Sequence, residues 1–148
     1  MKQLITIFFL VLSLQSLAQD PKQIVQWTVT ASKAQTANHY LLTASAHIDK
    51  GWHVFAPEPG GDGLLIPTEI RFEDKSPVKN QGKLIAKRKP INRNMEGVGM
   101  VNYYEGDITF TIDVEVSKTA TLNGVMSYQC CNENMCLPPT EVPFTLKL

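Results

Sequence analysis

The sequence predicts an all-β chain folded as a sandwich of about seven to nine short antiparallel strands. Apolar residues recur with period two in several windows, the mark of strands with one face on a core. The cleanest example is Ile108, Phe110, Ile112, Val114 and Val116. Gly-, Pro- and Asn-rich turn signals separate these windows at close spacing. No window sustains the 3.6-residue period of an amphipathic helix, and there is no internal repeat.

The chain has 148 residues, enough for one domain with its own core. Its first 18 residues read as a secretory leader. Lys2 gives a positive start, Leu4 to Leu14 an apolar run, and Ser16-Leu17-Ala18 a small-x-small cleavage site. That run is about half of the roughly 20 residues that span a bilayer. A soluble exported domain over residues 19–148 is therefore expected, with no membrane span after cleavage. The 14 basic and 14 acidic side chains of the full sequence balance, and loss of Lys2 leaves a charge near −1. That charge gives no support for nucleic-acid binding or electrostatic membrane adhesion. The one basic cluster, Lys83, Lys87, Arg88, Lys89 and Arg93, reads as a solvated loop beside a strand.

Ile24 to Thr30 should form the first strand, with Val25, Trp27 and Val29 inward. Tyr40 to Ile48 follows, with Tyr40, Leu42, Ala44, Ala46 and Ile48 on one face and Thr43, Ser45 and His47 on the other. A turn at Asp49-Lys50-Gly51 leads into Trp52 to Ala56, then into a Pro/Gly-rich loop over Pro57 to Gly63. Thr68 to Phe72, Lys83 to Ala86 and Met100 to Tyr104 are further short strands, and Pro90 to Gly99 is expected to be irregular. Ile108 to Val116, Thr121 to Gln129 and Val142 to Leu148 complete the set. An immunoglobulin-like sandwich accommodates this pattern, with a small barrel as the alternative. Trp27 and Trp52 read as core residues. His39 and His47 read as solvent-facing, and His53 as a partly exposed strand histidine.

All three cysteines, Cys130, Cys131 and Cys136, lie in one stretch running from Tyr128 to Pro139. A disulfide within it closes almost no chain. Cross-link stabilisation grows with the logarithm of loop length, so such a bridge is a poor staple, and reversible redox chemistry is the natural alternative. Export places the thiols where disulfides persist. A bond between the adjacent Cys130 and Cys131 would be strained. If strand geometry persists they face opposite sides, so only one of them can face Cys136. Taking that one to be Cys131 leaves Cys130 on the other face. Pro138-Pro139 stiffens the loop's exit.

Tyr128-Gln129, Cys131, Cys136 and Leu137-Pro138-Pro139 together resemble the redox loop of the N-terminal domain of the thiol:disulfide interchange protein DsbD family. Gly51-Trp52-His53-Val54-Phe55 and Tyr104 to Val114 extend the likeness over most of the mature chain. The resemblance implies an immunoglobulin-like fold that exchanges thiols and disulfides with exported, thioredoxin-like partners in the periplasm. It implies Cys131 and Cys136 as the exchanging pair, with Cys136 engaging partners and Cys131 resolving the mixed disulfide. Tyr128, Gln129 and Pro138 belong to the motif, while His53 and Phe55 stand where the family has tyrosines near the cysteines, and a histidine beside a thiol can lower its pKa or carry protons. The family's aromatic cap residue has no aromatic counterpart in Met95 to Gly99, and Met95 or Val98 is the candidate replacement. The spacing between the two cysteines is shorter than in the best-known members, and Cys130 stands where a small or aliphatic residue is expected. The family's transmembrane and thioredoxin-like domains have no counterpart in this sequence, so a separate membrane electron donor is expected.

No cofactor, no metal and a monomer are expected. Two other readings compete: a binding sandwich with an inert loop disulfide, and a Cu(I)-handling module using Cys130, Cys131, Met135 and Cys136. Gly-x-Ser-x-Gly, Walker and His-Glu-x-x-His motifs are absent, which disfavours common hydrolase classes. Glu73-Asp74 reads as solvated turn charge.

Overall fold

The computed structural model describes residues 20–148, so the expected leader over residues 1–18 lies outside the described residues. The chain forms α1 (Pro21–Ile24) and strands β1 (Val25–Lys33), β2 (His39–Ile48), β3 (His53–Gly60), β4 (Glu69–Phe72), β5 (Val78–Gln81) and β6 (Ile85–Ala86). It continues through β7 (Ile91–Met95), β8 (Gly99–Tyr104), β9 (Ile108–Val116), β10 (Thr121–Tyr128), β11 (Cys130–Cys131) and β12 (Thr140–Lys147). One sheet runs β1-β2-β9-β5, with β6 also on β9; a second runs β12-β10-β4; a third runs β11-β3-β8-β7. The ladders are antiparallel, as the alternation requires for a sandwich.

The long strands follow their sequence pattern. Tyr40, Leu42, Ala44, Ala46 and Ile48 of β2 are buried, as are Ile108, Phe110, Ile112, Val114 and Val116 of β9. They meet Leu122, Met126 and Tyr128 of β10 in the main core. Trp52 is a core residue, while Trp27 is half-buried and packs on Phe110 and Tyr128 at ring distances of 5.9 and 5.7 Å. His47 is exposed beside Asp107, whose carboxylate raises its pKa by hydrogen bonding and by charge. His39, expected in solvent, is instead half-buried against Asp113, with Nδ1 2.7 Å from the carboxylate.

Several segments differ from the pattern reading. β5 and β7 were expected as turn and irregular chain; β7 is exposed along most of its length and β5 only half-buried at Val78, so neither carries an alternating apolar signal. β3 runs through Pro57 and Pro59 to Gly60, where a loop was expected. Its register against β8 shifts between Phe55 and Gly60, and such an irregularity tolerates prolines because the ladder needs no donor there. α1 was not foreseen; Asp20 caps it by accepting from the Lys22 amide at 3.0 Å.

The third sheet is apolar on both faces. Val54, Ala56, Tyr104 and Cys130 point into the main core. Phe55, Val101, Tyr103 and Cys131 form a separate cluster on the other side, with Leu65, Met95 and Val98 packed against it. Gly60 and Gly61 make the turn that brings Leu65 over this outer face, both at positive φ. A Cβ on Gly60 would stand 2.5 Å from the Met100 carbonyl oxygen, whereas one on Gly51, also at positive φ, meets nothing within 4 Å. Gly51→Ala should therefore cost only the backbone term, roughly 1–2 kcal/mol. Gly60→Ala should cost clearly more in urea unfolding, and equal losses would contradict the close approach.

Candidate redox site

Beyond β10 the chain passes through Gln129 into β11, which pairs with β3 at the edge of the third sheet. Cys130 pairs with Val54 and Cys131 with His53 across β11 and β3. Successive strand residues point to opposite faces, so the two adjacent cysteines enter different environments. Cys130 is a fully buried free thiol in the main core, and burial pushes its pKa up to about 11. Cys131 is 2 % exposed in the outer cluster and forms a disulfide with Cys136, which is exposed.

The intervening loop is closed by its own hydrogen bonds. The Asn132 side-chain oxygen accepts from the amides of Asn134 and Met135 at 2.8 and 2.9 Å, an Asx turn. The Asn132 amide donates to the Met135 carbonyl at 2.8 Å, and the Leu137 amide to the Cys130 carbonyl at 2.9 Å. Cys131 and Cys136 thus form an isolated antiparallel bridge with Cα atoms 4.0 Å apart. The loop spans a sequence separation of 5, for which cross-linking contributes only about 2 kcal/mol by the chain-entropy model. Main-chain bonds already hold this turn, so the bridge adds little to its order.

Around the disulfide, β3 and β8 supply an aromatic floor. The His53 ring lies 4.6 Å from the Tyr103 ring and 5.6 Å from the Phe55 ring. His53 is 7 % exposed rather than partly solvated, and its Nε2 is buried with no hydrogen-bond partner. Desolvation lowers its pKa, opposed by the charges of Glu105 and Glu133. Met95 and Val98 pack on the cluster from the β7–β8 turn. Arg93 of β7 reaches back to Glu133 inside the Cys131–Cys136 loop, with nitrogen–oxygen distances of 2.8 and 3.4 Å. Glu133 is held below the usual carboxylate range by that guanidinium. Both groups are substantially exposed, so the pair orients the loop and adds little stability.

The remaining motif residues divide. Gln129 ties the loop's base, its Nε2 donating to the Leu137 carbonyl at 3.1 Å. Pro138 is exposed at the exit, and its carbonyl accepts from Thr140 Oγ1 at 3.1 Å. Tyr128 is not brought to the disulfide. It shares the face of Cys130, is fully buried, and donates its hydroxyl to the Pro21 carbonyl at 3.0 Å, with its pKa raised by burial. The copper ligand set is dispersed, because Cys130 lies on the opposite sheet face from the bridged Cys131 and Cys136. Tyr103, Val101, Leu65 and Glu133 were not singled out from sequence, and Arg93 was read only as part of a solvated basic cluster. Only the alternation of Val101 and Tyr103 in β8 held a local signal for any of them.

The family model for the N-terminal domain of the thiol:disulfide interchange protein DsbD matches residues 19–148. Among solved structures, the N-terminal periplasmic domain of ScsB from Proteus mirabilis is similar, with a TM-score of 0.67 at 23% identity. That likeness covers 88% of this chain and 49% of the ScsB chain, so this chain spans about half the length of that relative. The reduced DsbD N-terminal domain of Neisseria meningitidis aligns with a TM-score of 0.61 at 14% identity, covering 88% of this chain and 90% of that one. The complex of the DsbD and PilB N-terminal domains from the same species aligns with a TM-score of 0.55 at 14% identity, covering 86% and 85%. Comparison with curated proteins finds no match.

Cys130 should be chemically silent while the sandwich is intact. Iodoacetamide at about pH 8 should leave the oxidised native protein unmodified and label one thiol after denaturation. Labelling of the native protein at Cys130 would contradict its placement in the core.

Proposed function

The chain belongs to the family of DsbD N-terminal domains, and from that premise we propose that it is a periplasmic thiol–disulfide exchange module. It passes reducing equivalents to or from exported thioredoxin-like proteins through Cys131 and Cys136, drawing on a separate membrane donor. One observation carries this reading: a disulfide too short to serve as a staple joins an exposed cysteine to a buried one. An incoming thiolate has a path to Cys136 Sγ, while the sandwich covers Cys131 Sγ.

Exchange then has a fixed order. In the reduced module, the Cys136 thiolate attacks a partner disulfide, forms the mixed disulfide and expels one partner thiolate. Cys131 attacks Cys136 Sγ, re-forms the intramolecular bridge and releases the second partner thiolate. Two electrons and two protons leave the module, and the reverse sequence recharges it. Direction depends on the potentials of the partners. The loop's internal hydrogen bonds keep Cys136 within reach of Cys131 throughout, which favours the closing step over escape. Met95 and Val98 serve as the cap over the buried sulfur, taking the place of an aromatic residue. The complex of the related DsbD domain with the PilB N-terminal domain supports a protein partner for this chain.

Cys136→Ser should abolish electron transfer to a thioredoxin-like acceptor, and Cys131→Ser should accumulate a mixed disulfide through Cys136 on non-reducing gels. Transfer by the Cys136 variant at the wild-type rate would overturn the assignment.

A further inference from the structure

We propose that His53 is the proton acceptor for the Cys131 thiol in the step that resolves the mixed disulfide. This inference rests on the exchange reading above and gives His53 a specific step in it.

Three independent placements converge on it. First, His53 and Cys131 are direct cross-strand partners, so their side chains leave the same face, with Cβ atoms about 4.5–5.5 Å apart. Second, the ring is held on Tyr103 and Phe55, and Phe55 and Tyr103 belong to the cluster that buries Cys131. Third, Nε2 is buried without a hydrogen-bond partner in the oxidised protein. An unpaired buried nitrogen is costly, and a purely structural ring would normally avoid it. The disulfide has no hydrogen to offer, but the reduced Cys131 carries an S–H donor. Reduction gives the facing cysteine a donor that this nitrogen can accept, with the single proton of the neutral imidazole on Nδ1.

The charged and titratable neighbours fit a base that stays neutral. Burial holds the imidazole below its ordinary pKa, and Glu105 after β8, Glu133 in the redox loop and Arg93 on β7 act on it in opposing directions. Tyr103 supplies the facing ring from β8. A neutral imidazole at pH 7 can accept a proton; an imidazolium cannot.

The step balances as follows. With Cys136 in a mixed disulfide, Nε2 takes the proton from Cys131 Sγ–H. The Cys131 thiolate attacks Cys136 Sγ, the Cys131–Cys136 bond forms, and the bond from Cys136 to the foreign sulfur breaks. The leaving thiolate departs with the electron pair, and the imidazolium returns its proton to solvent or to that thiolate. In the reverse direction the imidazolium protonates the departing Cys131 thiolate.

A chromogenic nitrobenzoate disulfide separates the two steps without any protein partner. In the reduced Cys130→Ala protein, the first release of nitrothiolate reports attack by Cys136 and the second reports closure by Cys131. With His53 intact, the second rate should hold down to pH values below about 6.5, where the imidazole begins to protonate. His53→Gln and His53→Tyr should leave the first release unchanged and slow the second about tenfold or more at neutral pH. Their second rate should also rise about tenfold per pH unit, because only spontaneously formed thiolate remains. A second rate and pH profile equal to those of the parent would overturn the role of His53 and leave the exchange reading standing. Absence of any second release in the parent protein would overturn the Cys131–Cys136 exchange itself, and this inference with it. An unchanged first release also shows that the variant site is folded, which removes a structural explanation of the slower second step.

Discussion

Two residues of antiparallel pairing, Cys130 with Val54 and Cys131 with His53, determine the chemistry available at this end of the sandwich. Strand alternation forces the adjacent sulfurs apart, one into the main core and one onto the outer face. A shift of one residue would exchange them and flip every neighbouring side chain to the wrong face. Burial on both sides of the third sheet protects this register, since Val54 and Cys130 fill one core while Phe55, Tyr103 and Cys131 fill the other. Cys130 is therefore a small apolar core group, and scrambling with Cys136 requires the pairing to open.

The same pairing separates the surroundings of the two bridged cysteines. Cys131 sits in a strand with its side chain covered, and Cys136 sits beyond the Asx turn with its side chain exposed. The difference in access follows from position in the fold, before any partner arrives. The loop is ordered by Asn132 and by the Leu137–Cys130 main-chain bond, so it does not depend on the disulfide for its shape.

Much of this was legible in the sequence. Alternation in β2 and β9 revealed the sheet faces because those strands have one face on the main core. The clustered cysteines and the Pro138-Pro139 exit marked the loop, and period two placed Cys130 and Cys131 on opposite sides. What escaped notice lacked a local signal. β7 is largely solvent-exposed and polar, yet it carries Arg93 and Met95 to the site through pairing with β8. Tyr128 lies next to the loop in sequence, but shares the face of Cys130 and so points to the far side. His53 read as a half-solvated strand residue because nothing in its own segment discloses the outer cluster formed by β8 and the β7–β8 turn.

The central claim is that the Cys131–Cys136 bridge is a carrier of electrons and not a staple. The most direct test is its reduction potential in the purified domain, with mass spectrometry of alkylated peptides to identify the bridged pair. A bridge between Cys131 and Cys136 with a potential clearly above about −300 mV is the predicted result, as for labile and catalytic disulfides. A potential well below that limit, typical of structural bridges, would contradict the account.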